Sequence, residues 1–397
     1  MKILSKYPVC LFVILFQSFV ACSQPQMARI IVGAERTSEY FQLIKGKNIA
    51  LVANHTSLIN GVHLVDTLIS ARFKVVKVFS PEHGFRGNAD AGQEIGDKID
   101  LVTRLPIISL YGKNKKPQAA DLAEVDIVIF DIQDVGARFY TYISTMTYVM
   151  EACAENQIPV IILDRPNPNG FYVDGPVLES EFKSFVGLHP VPIVHGMTVG
   201  EYAGMVNAEG WLENGVKCEL SVIPVENYTH SDLYELPVRP SPNLPNKNAI
   251  FLYPSLCLFE GTVVSVGRGT DLPFQVIGHP EFKAGSDSFI PRSIPGVASK
   301  PKYEGVQCFG QNLTGFAESS QNLQGQMHLS WLIEYWKALK DKGSFFDNYF
   351  EKLAGTAQLR TQIEDGWSEA QIRESWQPGL EKFKQFRKKY LLYPDFD

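Results

Sequence analysis

Phe73-Lys-Val-Val-Lys-Val-Phe-Ser-Pro-Glu-His-Gly-Phe-Arg-Gly87 is a β-branched and aromatic run that stops against a proline. The part from Phe73 to Phe79 reads as a strand, because its side chains suit a pleated surface and Pro81 has no N–H to offer a sheet ladder. The residues after Ser80 read as loop. Glu82, His83 and Arg86 then present a carboxyl, an imidazole and a guanidinium within five positions, and Gly84 and Gly87 allow a tight turn or a close approach to a ligand.

The same theme recurs on either side. Asn48 to Ala53, Val125 to Phe130 and Ile158 to Leu163 are short, nearly continuous apolar runs of the kind a parallel sheet covered on both faces requires. Between the last two, Tyr142, Met146, Val149, Met150 and Cys153 fall at helical spacing, which makes a β-α-β unit; His63 to Ala71 supplies a crossover helix between the first two. The expected fold class is α/β, a doubly wound and mostly parallel sheet. Each run ends in polar groups: Asn54-His55-Thr56, then Glu82-His83, then Asp131, Gln133 and Asp134, then Asp164-Arg165. Carboxyl ends of parallel strands open onto the crevice where ligands bind, so these four clusters mark one candidate site.

Several chemistries are disfavoured. Gly267-Arg-Gly269 lacks the third glycine of a dinucleotide fingerprint, and there is no P-loop, no H-E-x-x-H and no G-x-S-x-G. His55, His83 and Asp131 are conceivable metal ligands, but nothing in their spacing asks for a metal, and no cofactor is expected. Cys153, Cys218, Cys257 and Cys308 are scattered without a C-x-x-C, so neither a zinc ribbon nor thioredoxin chemistry is expected, and spacing assigns no disulfide pairing.

At the N-terminus Lys2 and Lys6 precede an apolar run from Val9 to Val20 that ends in Ala21-Cys22. This reads as a secretory signal over residues 1–21, too short for a stable transmembrane helix. A small residue directly before a cysteine also has the form of a bacterial lipobox, with Phe19 where leucine is usual. Cys22 is then the lipidated mature N-terminus, residues 22–28 are a tether, and the weak lean is toward the periplasmic side. About 370 residues remain, more than one core usually serves, and the expected division is a first domain over 29–215 and a second, smaller α+β domain over 216–397. The formal charge of −6 grows more negative once the two signal lysines leave, and no long basic tract exists, so nucleic acid is not an expected partner.

In the later chain, Thr198 and Glu201 form a capping box that starts a helix, with His195 just ahead of it. Lys217 to Val225 reads as short strands opening the second domain. Glu260 and Arg268 stand between glycines and look presented. The last seventy residues read mostly as helices, and Lys382, Lys384, Arg387, Lys388 and Lys389 as one solvated face.

Six ordered motifs now form a pattern: Ser80-Pro-Glu-His-Gly-Phe-Arg-Gly87, the run from Phe130 to Tyr142, Leu163-Asp-Arg-Pro-Asn-Pro168, His195-Gly-Met-Thr198, Ser241-Pro-Asn-Leu-Pro245, and Glu260-Gly-Thr262 with Gly267-Arg-Gly-Thr270. Together they resemble the exo-β-N-acetylmuramidase family, the NamZ-type peptidoglycan hexosaminidases formerly known only as a domain of unknown function. The likeness runs from about residue 30 to Tyr390-Leu-Leu-Tyr393. It implies a Rossmann-like catalytic domain, an ancillary domain closing a cleft, and release of β-linked N-acetylmuramic acid from the non-reducing end of peptidoglycan fragments. It also makes Glu82 the expected catalytic acid.

Glycoside hydrolysis needs a proton donor and usually a second carboxylate, for which Asp131 and Asp134 are nearest by strand order; the sugar's own 2-acetamido group is the other possibility. N-acetylmuramic acid differs from N-acetylglucosamine by a lactyl carboxylate, which suits a guanidinium fork, so at least one of Arg86, Arg138, Arg165 and Arg268 is expected to grip it. Tyr140 and Tyr142 are expected to wall a one-sugar pocket, with Asn54, His83, Gln133, His195 and Glu260 as further substrate contacts. The rival expectation is a wall-binding lipoprotein that holds a muramyl group without cutting it.

Overall fold

A computed structural model describes residues 28–82, 84–85, 98–319 and 325–396. His83, Arg86, Cys22, the signal and the tether up to residue 27 lie outside the described residues.

Among the described residues the strands are β1 (Asn48–Ala53), β2 (Leu58–Ile59), β3 (Val62–His63), β4 (Lys74–Ser80), β5 (Lys98–Ile99), β6 (Pro106–Ser109), β7 (Ile127–Asp131), β8 (Val160–Leu163), β9 (Leu220–Ile223), β10 (Val276–His279), β11 (Asp287–Phe289) and β12 (Cys308–Asn312). Seven of them form one sheet in the order β5-β6-β4-β1-β7-β8-β9, parallel throughout except where β5 runs antiparallel to β6. Alternation along the strands fills both faces. Ala50, Val52, Val128 and Phe130 face one apolar cluster, while Ile49, Leu51, Ile127 and Ile129 face another that includes Tyr40, Ile44, Leu64 and Leu68. The first cluster is roofed by helices Tyr142–Glu155 and Val199–Ala208, the second by helix Leu64–Ser70, so the sheet is doubly wound as its apolar runs require.

The chain proceeds outward from β1 through β4 to β6, then returns to the other side of β1 with β7. That reversal puts the topological switch between β1 and β7. Val52 pairs with both Phe79 and Phe130, and Phe130 with Ile162, so the carboxyl ends of all four expected strands are level at one edge.

The second region contains the antiparallel sheet β10-β12-β11, helices Lys247–Leu256 and Ser330–Leu339, and the terminal helix Glu369–Arg387. Two expectations change here. The segment expected to open the second domain supplies β9, the last parallel strand of the first sheet, so that sheet extends beyond residue 215. The terminal helix also returns to the first region: Arg373 pairs with Asp174 at 2.7 Å, and Phe386 stacks on Trp211. Arg387, expected on a solvated face, is buried there, pairing with Asp395 at 2.6 Å over the ring of Phe396. Beyond it, the Tyr393 hydroxyl accepts the N–H of Val225 and bonds the Asp164 carboxylate. The capping box of Thr198 and Glu201 is present, and Cys153, Cys218, Cys257 and Cys308 are buried thiols. Among the described residues no helix is long and apolar enough to cross a membrane.

Candidate active site

Glu82 comes directly after β4, past Ser80 and Pro81, in a turn where the Gly84 N–H returns to the Pro81 carbonyl at 3.2 Å. Gly84 has φ +76°, a conformation glycine adopts without strain. Phe85 then plugs into the core against the His63 ring at 4.8 Å, which anchors the loop.

Glu82 lines a cavity of about 390 Å³. Its floor is aromatic: Tyr140 meets Tyr142 at 4.8 Å and Tyr253 at 5.9 Å, and the Tyr140 hydroxyl donates to the Pro240 carbonyl at 2.8 Å. These rings come from the segment between β7 and helix Tyr142–Glu155. There Gly136 turns with φ +75° so close to Asn167 that an added Cβ would stand 2.2 Å from its amide oxygen. The opposite wall comes from the second region. Glu260 lies in the short helical turn Cys257–Gly261, and Arg268 lies between Gly267 and Gly269, both at positive φ. The two side chains form a bidentate pair, Nε to Oε1 at 2.6 Å and Nη2 to Oε2 at 3.0 Å, with the guanidinium over the Phe274 ring. Tyr111, Lys115, Phe185, Tyr349 and Lys352 complete the mouth.

Burial raises the phenols of Tyr142 and Tyr349 above their ordinary range, and the nearby Glu82 carboxylate adds to both shifts. Both phenols therefore stay protonated at neutral pH. Among the described residues no cluster of three His, Cys, Asp or Glu is placed to hold a metal ion.

Compared with known proteins, residues 49–248 match the model described as exo-β-N-acetylmuramidase NamZ, N-terminal, and residues 251–393 match its C-terminal counterpart. The chain belongs to this family. It is 40% identical over 376 residues to the peptidoglycan β-N-acetylmuramidase NamZ of Bacillus subtilis, an alignment covering 89% of each protein. Two crystal structures of DUF1343 family proteins from Bacteroides fragilis share its fold. One has 50% identity and a TM-score of 0.86, the other 28% and 0.76; each comparison covers 93% of this chain and all of the other. The NamZ models meet between residues 248 and 251, after β9, as the sheet does.

Within this NamZ-family site the expected residues separate into those at the cavity and those behind it. Glu82, Tyr140, Tyr142, Glu260 and Arg268 line it. Asp131 does not: it is fully buried, and Arg165 occupies both its oxygens, Nε at 2.6 Å and Nη2 at 2.9 Å. Arg165 instead borders a separate space of about 420 Å³ beside Thr56 and Tyr234. Gln133 ties two loops together through the carbonyls of Asp134 and Pro166. The Asn54 oxygen takes the N–H and hydroxyl of Thr56, closing the turn after β1. His195 lies in the interior against Tyr202, accepting the Met197 N–H at 3.3 Å. Burial, with Arg387 and Arg138 nearby, pushes it down to about 3, so it is neutral and structural. Arg138 is also interior, its guanidinium spent on four backbone carbonyls.

Asp134 lies behind Tyr140 and Tyr142, with Oδ2 accepting the Gly136 N–H at 2.7 Å and Oδ1 buried without a partner. Burial pushes its carboxyl up to about 7. A raised folded-state pKa means that Asp134 costs nothing below about pH 4, where the unfolded chain is also protonated, and destabilises progressively up to about pH 7. Asp134→Asn keeps an acceptor for Gly136 and removes that penalty, so its melting-temperature advantage over the parent should grow from pH 4 to pH 7 and then level. The shift bounds the effect at roughly 4 kcal/mol, at about 1.4 kcal/mol per unit. A pH-independent difference between the two proteins would refute the buried-carboxyl account.

The mouth residues had no local signal. Lys115 lies beyond the short strand β6, which begins at a proline, and Tyr349 and Lys352 are the N-cap and the middle of a five-residue helix, Phe350–Ala354, more than two hundred positions from strand β4, after which Glu82 stands.

Proposed function

We propose that the protein releases β-linked N-acetylmuramic acid from the non-reducing end of peptidoglycan fragments, with Glu82 donating the proton to the leaving oxygen. The observation that carries this reading is the Glu82 carboxyl on an aromatic-floored cavity of about 390 Å³, in a chain of the exo-β-N-acetylmuramidase family. That volume lies low in the range of small-molecule pockets, roughly 300–1,000 Å³, which suits one sugar and an exo-acting enzyme. Tyr140 and Tyr142 give the pyranose ring an apolar face.

Retaining and inverting glycosidases ordinarily use two carboxylates. Among the described residues, Asp131 is consumed by Arg165, Asp134 is buried off the cavity lining, and Glu260 is consumed by Arg268. This supports a reaction in which the 2-acetamido oxygen of the substrate attacks the anomeric carbon while Glu82 protonates the departing oxygen. The C1–O bond breaks as the C1–O(acetamide) bond forms, giving an oxazolinium ion that keeps its N–H, and water, losing its proton to Glu82, then attacks C1 and reopens the ring to the acetamide. The net configuration is retained. Incubation with a chromogenic β-N-acetylmuramide, monitored by proton NMR, tests both parts: release of the aglycone with the β-anomer formed first is expected. No release between about pH 5 and 8 would defeat the proposed activity, and the α-anomer appearing first would defeat acetamide participation.

The N-terminal pattern of Lys2, Lys6, the apolar run and Ala21-Cys22 supports export and lipid anchoring at Cys22, on the periplasmic side. Metabolic labelling with a radioactive fatty acid should mark the parent and not Cys22→Ser; equal labelling of both would remove the assignment.

A further inference from the structure

The group that separates N-acetylmuramic acid from N-acetylglucosamine is a carboxylate, and it must enter a cavity that already presents Glu82. Without a cation there, the cost of desolvating that carboxylate would exclude it. Of the three arginines in the described residues that the sequence motifs offer, none is placed to supply that charge. Arg138 is interior, Arg165 faces a different space, and Arg268 is neutralised by the two-point pair with Glu260. Two other cations do line the cavity, Lys115 and Lys352.

Each is carried on a fixed support. Lys115 reaches the mouth with its ammonium 4.5 Å above the Phe185 ring, itself a wall of the cavity. That contact holds the charge in place through the quadrupole of the ring and leaves N–H donors for an anion. Lys352 projects from helix Phe350–Ala354, whose carbonyls at Leu353 and Ala354 are clamped by Arg138 at 3.0 and 2.7 Å. Among the described residues neither lysine forms an ion pair.

We propose that Lys115 and Lys352 recognise the lactyl carboxylate of the muramyl residue and so decide the preference for N-acetylmuramic acid over N-acetylglucosamine. The inference rests on the proposed activity and deepens it. A lactyl ether carries its acid on a rotatable arm, so its position varies with torsion; two point charges on long stems track such a group, where a rigid fork requires one geometry.

The test compares kcat/KM for a chromogenic β-N-acetylmuramide, its lactyl methyl ester and the corresponding β-N-acetylglucosaminide, in the parent and in Lys115→Met, Lys352→Met and the double variant. The preference for the acid over the ester and over the glucosaminide should fall roughly tenfold in each single variant and further in the double, as expected for loss of a charge-assisted contact. It should also weaken with added salt in the parent and lose that salt dependence in the double variant. Lys115→Arg and Lys352→Arg, which keep the charge, should retain most of the preference. An unchanged acid preference in a folded double variant, or equal losses on all three substrates, would overturn the assignment of the lysines while leaving the activity standing. A parent that cleaves none of the three would instead overturn the proposed activity.

Discussion

Glu82→Gln should lower the turnover of an N-acetylmuramyl disaccharide by about two to four orders of magnitude, the range contributed by a positioned proton donor. Glutamine has the same shape and cannot give up a proton at this pH, and Glu82 is only half-buried in its turn, so the variant should melt at the temperature of the parent. The leaving group supplies a sharper discriminant. A sugar alkoxide needs its proton in the transition state, whereas a nitrophenolate departs almost without one. The loss should therefore be much smaller on an activated aryl muramide than on the natural linkage. Equal losses on both substrates would mean that Glu82 binds the sugar rather than protonating the leaving oxygen, and a variant of near-normal rate on the disaccharide would remove it from the chemistry.

Arg138→Met should destabilise the protein by roughly 3–5 kcal/mol in a urea titration, the cost typical of breaking a buried charged network. The side chain is fully buried. Nη1 donates to the carbonyls of Pro176 and Val191 at 3.0 and 2.7 Å, and Nη2 to those of Leu353 and Ala354 at 3.0 and 2.7 Å. Burial weakens its hold on its proton without neutralising it at neutral pH. Methionine fills much of the volume but takes the donor from the carbonyls of Pro176, Leu353 and Ala354, each of which then bears its desolvation cost, while the Val191 carbonyl keeps the Leu178 N–H at 3.1 Å. Two of those acceptors belong to the helix that carries Lys352, so KM for the muramide should rise more than kcat falls. Arg138→Lys, which keeps the charge but lacks the planar fork, should recover only part of the stability. A methionine variant with the parent's urea midpoint would show that the four hydrogen bonds contribute little.

Arg138 also illustrates where sequence reasoning ends. It sits three residues from Val135 in the motif Gln133-Asp134-Val135, which is rich in polar groups, and a guanidinium there reads naturally as a ligand for an acid. Only the packing around it of the loops at Pro176 and Val191 and of the helix end at Leu353 and Ala354 turns the same group into a structural clamp. Asp131 and Arg165 behave alike: two candidates placed correctly at adjacent strand ends, each of which removes the other from solvent. His195 was offered to the crevice by its position ahead of a helix cap, and is enclosed by elements contributed from the far end of the chain.

The strands themselves were legible because a strand covered on both faces must be apolar along its whole length, and a parallel strand must be succeeded by a crossover. These constraints act over ten to twenty residues. They determined the runs β1, β4, β7 and β8, the helices between them, the capping box at Thr198, and the level edge at which Glu82 stands. Strands β6 and β9 were harder, the first because it opens with a proline and the second because Leu220-Ser-Val-Ile223 carries too little pattern to show which sheet it joins.

By itself, then, the sequence determined the doubly wound sheet and the edge at which Glu82 stands, both of which depend on local periodicity, while the proton-donating role of Glu82 is what the family resemblance implies. The tertiary structure decided which charges remain available to a substrate, because availability depends on partners far away in the chain. Arg268 is spent on Glu260, Arg165 on Asp131 and Arg138 on four carbonyls, while Lys115 and Lys352, which belong to no motif, line the cavity. A charge is silenced or presented by whatever folding brings within about 4 Å of it, and that distance is not a property of the local sequence.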